Sequence, residues 1–146
     1  GHPQGTDADI ETAIRLSHFQ KDLEMLPQGL ETLVGEKGVA LSGGQKQRIS
    51  IARALIKNPE ILLLDDSLSA VDAKTEARII ENIQLERKDK TTIITTHRLS
   101  AIQHADRIIV LDDGVMIEEG THEDLLANEG WYKEQFDRQQ IEEVPS

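Results

Sequence analysis

The chain has 146 residues, 38% of them apolar but with only one Trp, one Tyr and two Phe, and its 27 acidic against 16 basic side chains leave a formal charge of −11. That describes one domain, or part of a larger one, with an aliphatic core rather than a disordered tail. It is a poor nucleic-acid binder, because no strong cationic cluster offsets the acid, and the absence of cysteine removes disulfides, thiolate catalysis and Cys-ligated zinc together.

The longest aliphatic runs, Ile61–Leu64 and Ile108–Leu111, have four residues each, far short of the roughly 20 that span a bilayer. The polar start, Gly1 to Asp9, lacks the charged-then-apolar order of a signal peptide. A soluble chain facing the cytosol is expected. From Thr6 the pattern predicts a helix, capped by Asp7 or Asp9, with Ile10, Ile14 and Phe19 as its apolar stripe. Pro27-Gln28-Gly29 breaks the chain, and Thr32–Val39 reads as a loop. Ser42 then caps a second helix, with Gln45 in capping-box position. That helix runs through Ile49, Ala52 and Leu55 to about Lys57, where Asn58-Pro59 ends it.

Ile61–Leu64, bounded by Pro59 and Asp65, predicts a strand buried on both faces. A helix is expected from about Asp72 to Gln84, a second strand over Thr91–Thr96 and a short helix around Leu99–His104. Ile108–Leu111 and Val115–Glu118 form a hairpin through Asp112-Asp113-Gly114. Thr121 to Asp124 starts a helix by capping-box chemistry, and Trp131–Gln140 is a last amphipathic helix against which Trp131 is expected to bury. Strands alternating with helices give an α/β class with a mainly parallel sheet. Two regions follow: a helical subdomain over residues 1–58, and half of an α/β core with flanking helices over residues 59–146.

Two places carry chemistry. Leu41-Ser42-Gly43-Gly44-Gln45 opens a helix whose glycines admit a ligand close to the backbone, and whose free amides and dipole favour an anion. On its own, Ser-Gly-Gly reads first as a glycine-rich cap, and only its context favours the anion site. Asp65-Asp66 follows the first strand, at the sheet edge where α/β folds place ligands. Asp65 there is a candidate Mg²⁺ ligand alongside substrate phosphates, although an acidic pair after a strand is also an ordinary loop start. His97 ends the next strand, where a phosphate contact and a structural hydrogen bond are both open to it.

In this order the motifs resemble those of the ATP-binding cassette (ABC) proteins. Leu41–Gln45 is similar to the signature motif and Ile61–Asp65 to the Walker B strand. Ser69-Ala70-Val71-Asp72 resembles the D-loop, His97 the switch histidine, and Thr32–Gly38 the X-loop of exporters. Gly120–Leu125 is similar to the family's C-terminal segment. The resemblance implies a P-loop NTPase fold, ATP and Mg²⁺ as cofactors, and a head-to-tail pair of nucleotide-binding domains. By that resemblance Ser42 and Gly44, within the Leu41–Gln45 motif, meet the γ-phosphate of ATP held by the opposing domain. Asp65 serves Mg²⁺, Asp66 and His97 act at the γ-phosphate and attacking water, and Asp72 bridges the dimer interface. It implies a transmembrane domain in the same full-length chain, a place at the cytoplasmic face of the membrane, and efflux of drugs or lipids.

The sequence departs from the family twice. No G-x-x-x-x-G-K-[ST] phosphate loop occurs in it, and the adenine-stacking aromatic and Q-loop are absent. The chain therefore reads as the C-terminal part of a nucleotide-binding domain, expected to be inactive alone and to leave an open sheet edge or face that invites self-association. Second, Asp66 stands where competent members usually carry glutamate. The shorter side chain withdraws the carboxylate by about 1.5 Å, and misplacement by about 1 Å costs on the order of 10²-fold in rate. An intact signature beside an altered base resembles one half of a bacterial heterodimeric multidrug exporter, with this chain's own site impaired and hydrolysis at its partner's. A third reading, a soluble ABC protein on DNA or ribosomes, is opposed by the X-loop-like segment and the acidic charge.

Overall fold

The computed structural model describes residues 7–17 and 42–143, and the chain divides into two compact units between Thr96 and His97. The predicted break at Pro27–Gly29, the X-loop-like Thr32–Gly38, Phe19 and Leu41 lie outside the described residues. No described helix is long and apolar enough to cross a membrane.

The first unit starts with α1 (Asp7–Leu16), which buries Ala13, Ile14 and Leu16 and packs on α2 (Gly43–Ile56). Ser17 closes α1 inside the protein, its hydroxyl donating to Ile14 O at 3.1 Å. Helix α2 begins at the predicted capping box and stops where Asn58 turns left-handed (φ +47°) before Pro59, a conformation Asn tolerates better than most residues. Then come β1 (Ile61–Asp65), α3 (Ala73–Glu86) and β2 (Thr91–Thr95). The two strands run parallel, from Ile61 opposite Thr91 to Asp65 opposite Thr95. Such a pair needs a crossover, which α3 supplies.

β1 is not buried on both faces. Leu62 and Leu64 are 3% exposed, but Ile61 and Leu63 are 64% and 61% exposed. Ile93, paired with Leu63, shares that open face. An aliphatic run records what a strand can bury, and a parallel strand fills both faces only when elements flank both; here one side is packed. Arg87, at the end of α3, fastens the other end of the pair. Its guanidinium donates to Pro59 O (2.8 Å), Thr91 O (3.0 Å) and Thr92 Oγ1 (3.0 Å). Burial lowers its pKa, against the raising charge of Glu60.

The second unit holds a 3₁₀ turn (Leu99–Ile102), β3 (Ile108–Asp112), β4 (Val115–Gly120), α4 (His122–Ala127) and α5 (Trp131–Glu143). β3 and β4 are antiparallel. Asp113 (φ +51°) and Gly114 (φ +75°) are both left-handed at the turn, as a two-residue hairpin whose twist matches its strands requires. Leu99, Ile108, Val110, Leu125 and Tyr132 form the core, with Phe136 against it. Trp131 is not buried: it stands 48% exposed at the start of α5, because the next residue, Tyr132, takes the core position. The Tyr132 hydroxyl then finds a partner in His122 Nδ1 at 2.8 Å. Burial first, and the charge of Glu123 second, push the phenol up to about 12.

Candidate functional site

Ser42 has extended backbone (φ −66°, ψ 163°). Its hydroxyl accepts from Gln45 N at 3.1 Å, and its own N–H donates to Gln45 Oε1 at 2.9 Å. The amides of Gly43 and Gly44, first in the helix, have no intrahelical acceptor. No acidic residue occupies that first turn, so the positive end of the helix dipole is not neutralised by its own side chains.

This helix end is fitted against the loop that follows β1. A Cβ at Gly44 would stand 3.0 Å from Ala70 O, and one at Gly43 3.3 Å from Ala70 Cβ; glycine here serves close approach. The helix holds the loop through Gln47, whose Nε2 donates to Ser69 Oγ at 2.9 Å and whose Oε1 accepts from Ala70 N at 2.8 Å. Buried Leu68 and Val71 anchor the loop on either side, leaving Ser69 and Ala70 exposed at its apex. Sequence reasoning missed Gln47. Its one available signal is its place three residues after Gly44, on the same helix face. Asp72, next in the chain, caps α3, its Oδ2 accepting from Thr75 N at 3.0 Å.

Asp65 and Asp66 lie together and exposed at the C-terminal edge of the strand pair. Thr95, also missed, straps them: its hydroxyl donates to Asp65 Oδ1 at 2.7 Å and accepts from Asp66 N at 3.0 Å. Asp66 is left-handed (φ +51°), a region in which aspartate is enriched several-fold among non-glycine residues. Glu76, 3% exposed, accepts from the hydroxyl of Thr96, the residue after Thr95, at 3.0 Å. Among the described residues no three His, Cys, Asp or Glu side chains group as a metal cage. Mg²⁺ is usually held by one or two carboxylates, with phosphates and water completing its shell, and an exposed carboxylate at a strand end fits that role. Of the remaining predicted residues, His97 opens the second unit with its side chain exposed and its carbonyl accepting from Gln139 Nε2 at 2.8 Å.

The family model described as ABC transporter matches residues 4–69. The chain is 70% identical, over 141 residues, to the probable multidrug resistance ABC transporter ATP-binding/permease protein YheI of Bacillus subtilis, covering 97% of this chain and 24% of that protein. It is 50% identical to the multidrug resistance-like ATP-binding protein MdlA of Escherichia coli over 142 residues, again 97% of this chain and 24% of the other. Among solved structures, a bacterial Atm1-family ABC exporter with ATP bound is similar at a TM-score of 0.85 and 43% identity, over 94% of this chain and 24% of that one. The chain thus spans about a quarter of the length of the curated relatives it matches.

Proposed function

We propose that this chain belongs to the ABC transporter family and forms the C-terminal part of the ATP-hydrolysing motor domain of a multidrug-type exporter. Its residues 4–69 match that family's model, and it is 70% identical to an ABC transporter ATP-binding/permease protein over 97% of its own length. Residues 1–58 are then the signature-bearing helical subdomain and residues 59–146 the second half of the ATPase core. The rest of the intact protein supplies the phosphate loop and a transmembrane domain, which puts this part at the cytoplasmic face of the membrane and leaves it inactive alone. The observation that carries the reading is the N-terminus of α2: two glycines, a serine cap, no acid in the first turn, and a fixed register against the Ser69–Ala70 loop through Gln47.

ATP with Mg²⁺ supplies a γ-phosphoryl group whose transfer to water is mainly a matter of positioning and charge stabilisation. The Ser42 hydroxyl and the Gly43 and Gly44 amides donate hydrogen bonds to the terminal phosphate held by an opposing nucleotide-binding domain, and Gln45 braces Ser42 from behind. Asp65 offers its carboxylate oxygen to Mg²⁺. Asp66 faces the attacking water as a shortened base, His97 contacts the γ-phosphate, and Asp72, at the root of the docked loop, faces the opposing domain. A grip that needs the terminal phosphate closes the pair only while that phosphate is present.

Asp66 favours a finer version, in which the opposing domain is a different half-transporter and most hydrolysis occurs at its site. Left-handed backbone at position 66 suits aspartate better than the longer glutamate, and the shorter carboxylate slows this chain's own site. One experiment tests both levels: purify the intact transporter by a tag on this subunit, identify what accompanies it, and measure ATP hydrolysis with Ser42→Arg. Hydrolysis is expected to be abolished while nucleotide binding at this subunit's own site stays within about twofold. Loss of own-site binding with hydrolysis retained overturns the assignment across the interface. A stoichiometric second half-transporter with glutamate at the base position supports the heterodimer, and a homodimer overturns it.

A further inference from the structure

Leu99 opens the 3₁₀ turn that follows His97, and Arg98, the residue in capping position, makes no side-chain hydrogen bond to it. The first amides of a helical turn have no partner within the turn, and Leu99 is 5% exposed, so its N–H needs an acceptor inside the protein. The acceptor comes from 40 residues downstream: Gln139 Oε1 accepts from Leu99 N at 2.9 Å. The other end of the same amide, Nε2, donates to His97 O at 2.8 Å. Only one of the two orientations of a glutamine amide satisfies both, so one side chain grips the main chain on either side of Arg98 and fixes the peptide that leaves His97.

Gln139 is in turn fixed by the packing of α5. Tyr132 is fully buried and bonded to His122, and the Phe136 ring lies 4.8 Å from the His122 ring. Residues 132, 136 and 139 share one face of the helix, so the two aromatic anchors set the height at which Gln139 meets the His97 backbone. We propose that Gln139 is a positioning residue for His97: the last helix acts as a splint that holds the switch histidine's backbone in the conformation from which its imidazole reaches the phosphate. This rests on the reading of His97 given above. It adds to the hydrolytic apparatus a residue on an element that contributes nothing else to it.

The test uses the intact transporter with the opposing domain's base residue substituted, so that the turnover read is that of this subunit's own site, which His97 serves. There kcat and KM for MgATP are measured for Gln139→Met, His97→Ala and the double variant, with Gln140→Met on the exposed side of α5 as control. Methionine keeps the length of glutamine but offers neither donor nor acceptor to the backbone. Gln139→Met is expected to lower kcat about five- to tenfold with KM within twofold, to leave the residual rate of His97→Ala unchanged, and to differ from the unaffected control. Residues acting through one another are non-additive in this way. Gln139→Glu, which keeps the acceptor for Leu99 but sets a carboxylate against the His97 carbonyl, is expected to be impaired as well. Should His97→Ala be impaired while Gln139→Met and Gln139→Glu hydrolyse normally, the splint is wrong and the reading of His97 stands. An equal further loss from Gln139→Met in the His97→Ala background also overturns it, by showing general damage. Normal hydrolysis in His97→Ala sinks the reading of His97 and the splint together.

Discussion

Two helices of this chain begin with the same device and put it to different use. At α2 the Ser42 hydroxyl accepts from the third helical amide while Gln45 reaches back to the Ser42 N–H; at α4, Thr121 and Asp124 do the same, with Asp124 Oδ2 accepting from Thr121 N at 3.1 Å. The difference lies in the charge and in what surrounds it. The first turn of α4 carries Glu123 and Asp124, whereas that of α2 carries no acid. A carboxylate in the first turn satisfies the helix dipole internally; without one, the same amides are open to an external anion. α4 is a six-residue joint whose first residue, His122, is buried against Tyr132 and Phe136. α2 has 14 residues, and its two leading glycines let the Ser69–Ala70 loop come close. The local hydrogen-bond pattern therefore says where a helix starts, and the charge of its first turn says whether that start is available for binding.

The sharpest way to break this contrast is to give α2 the acid that α4 has. Gln45→Glu keeps an acceptor for the Ser42 N–H, and glutamate at that position is a standard capping-box residue. Stability should therefore be unchanged or slightly higher. A carboxylate within about 4 Å of an incoming phosphate costs on the order of 4 kcal/mol at surface-like dielectric. Screening reduces that, and ATP hydrolysis by the intact transporter is expected to fall about a hundredfold. Hydrolysis within twofold of the parent would show that the uncharged first turn of α2 has no part in phosphate binding.

The joint at α4 makes the opposite prediction, an effect on stability that changes with pH. The Tyr132 phenol is raised from 10.0 to about 12 in the folded state, so between those values the unfolded tyrosine has lost its proton and the folded one has kept it. The folded state then binds more protons, and stability falls as pH rises. The contribution is fully present below about pH 10 and amounts to on the order of 2 kcal/mol. Tyr132→Phe removes that pH dependence together with the hydrogen bond to His122, and loss of the hydrogen bond alone costs about 1–2 kcal/mol near neutrality. Urea unfolding of parent and variant ATP-binding domain from pH 8 to pH 11.5 should show the gap between them narrowing above pH 10. A constant gap would mean that the phenol is not held protonated by the fold.

What was legible in the sequence is what lies within a few residues along the chain. Ser42 with Gln45, Thr121 with Asp124, and the Asp113-Gly114 turn each announce themselves by residue type at fixed spacing, and each is found in place. Asp65 and Asp66 were found for a related reason, since a short aliphatic run followed by two acids marks a strand end. The family resemblance then attached roles to them that spacing alone left open. Gln47, Thr95, Arg87 and Gln139 were invisible because their partners lie 4 to 42 residues away, at no fixed spacing. A glutamine that clamps a loop has the same local signature as one facing water. The exposed Ile61 and Leu63 lie on the open sheet face that the missing phosphate-loop half also implies, so burial of that strand on both faces fails for want of a flanking element. Trp131 is exposed for a like reason, since hydrophobicity states a preference and packing partners decide whether it is met.

The smallest expected effect bears most directly on the contrast. Thr121→Ala removes the hydroxyl that accepts from Asp124 N at 3.2 Å, and loss of a threonine cap costs about 1 kcal/mol. Glu123 and Asp124 remain to interact with the dipole, and Asp124 still accepts from the backbone of residue 121, so the loss should lie at or below that figure. The thermal midpoint of the intact ATP-binding domain should drop by a few degrees, with kcat and KM for MgATP unchanged. Equal cap chemistry would thus be worth stability alone at α4 and function at α2. If instead Thr121→Ala lowered hydrolysis while leaving the midpoint in place, α4 could not be a purely structural joint, and first-turn charge would fail as the feature that separates the two helix ends.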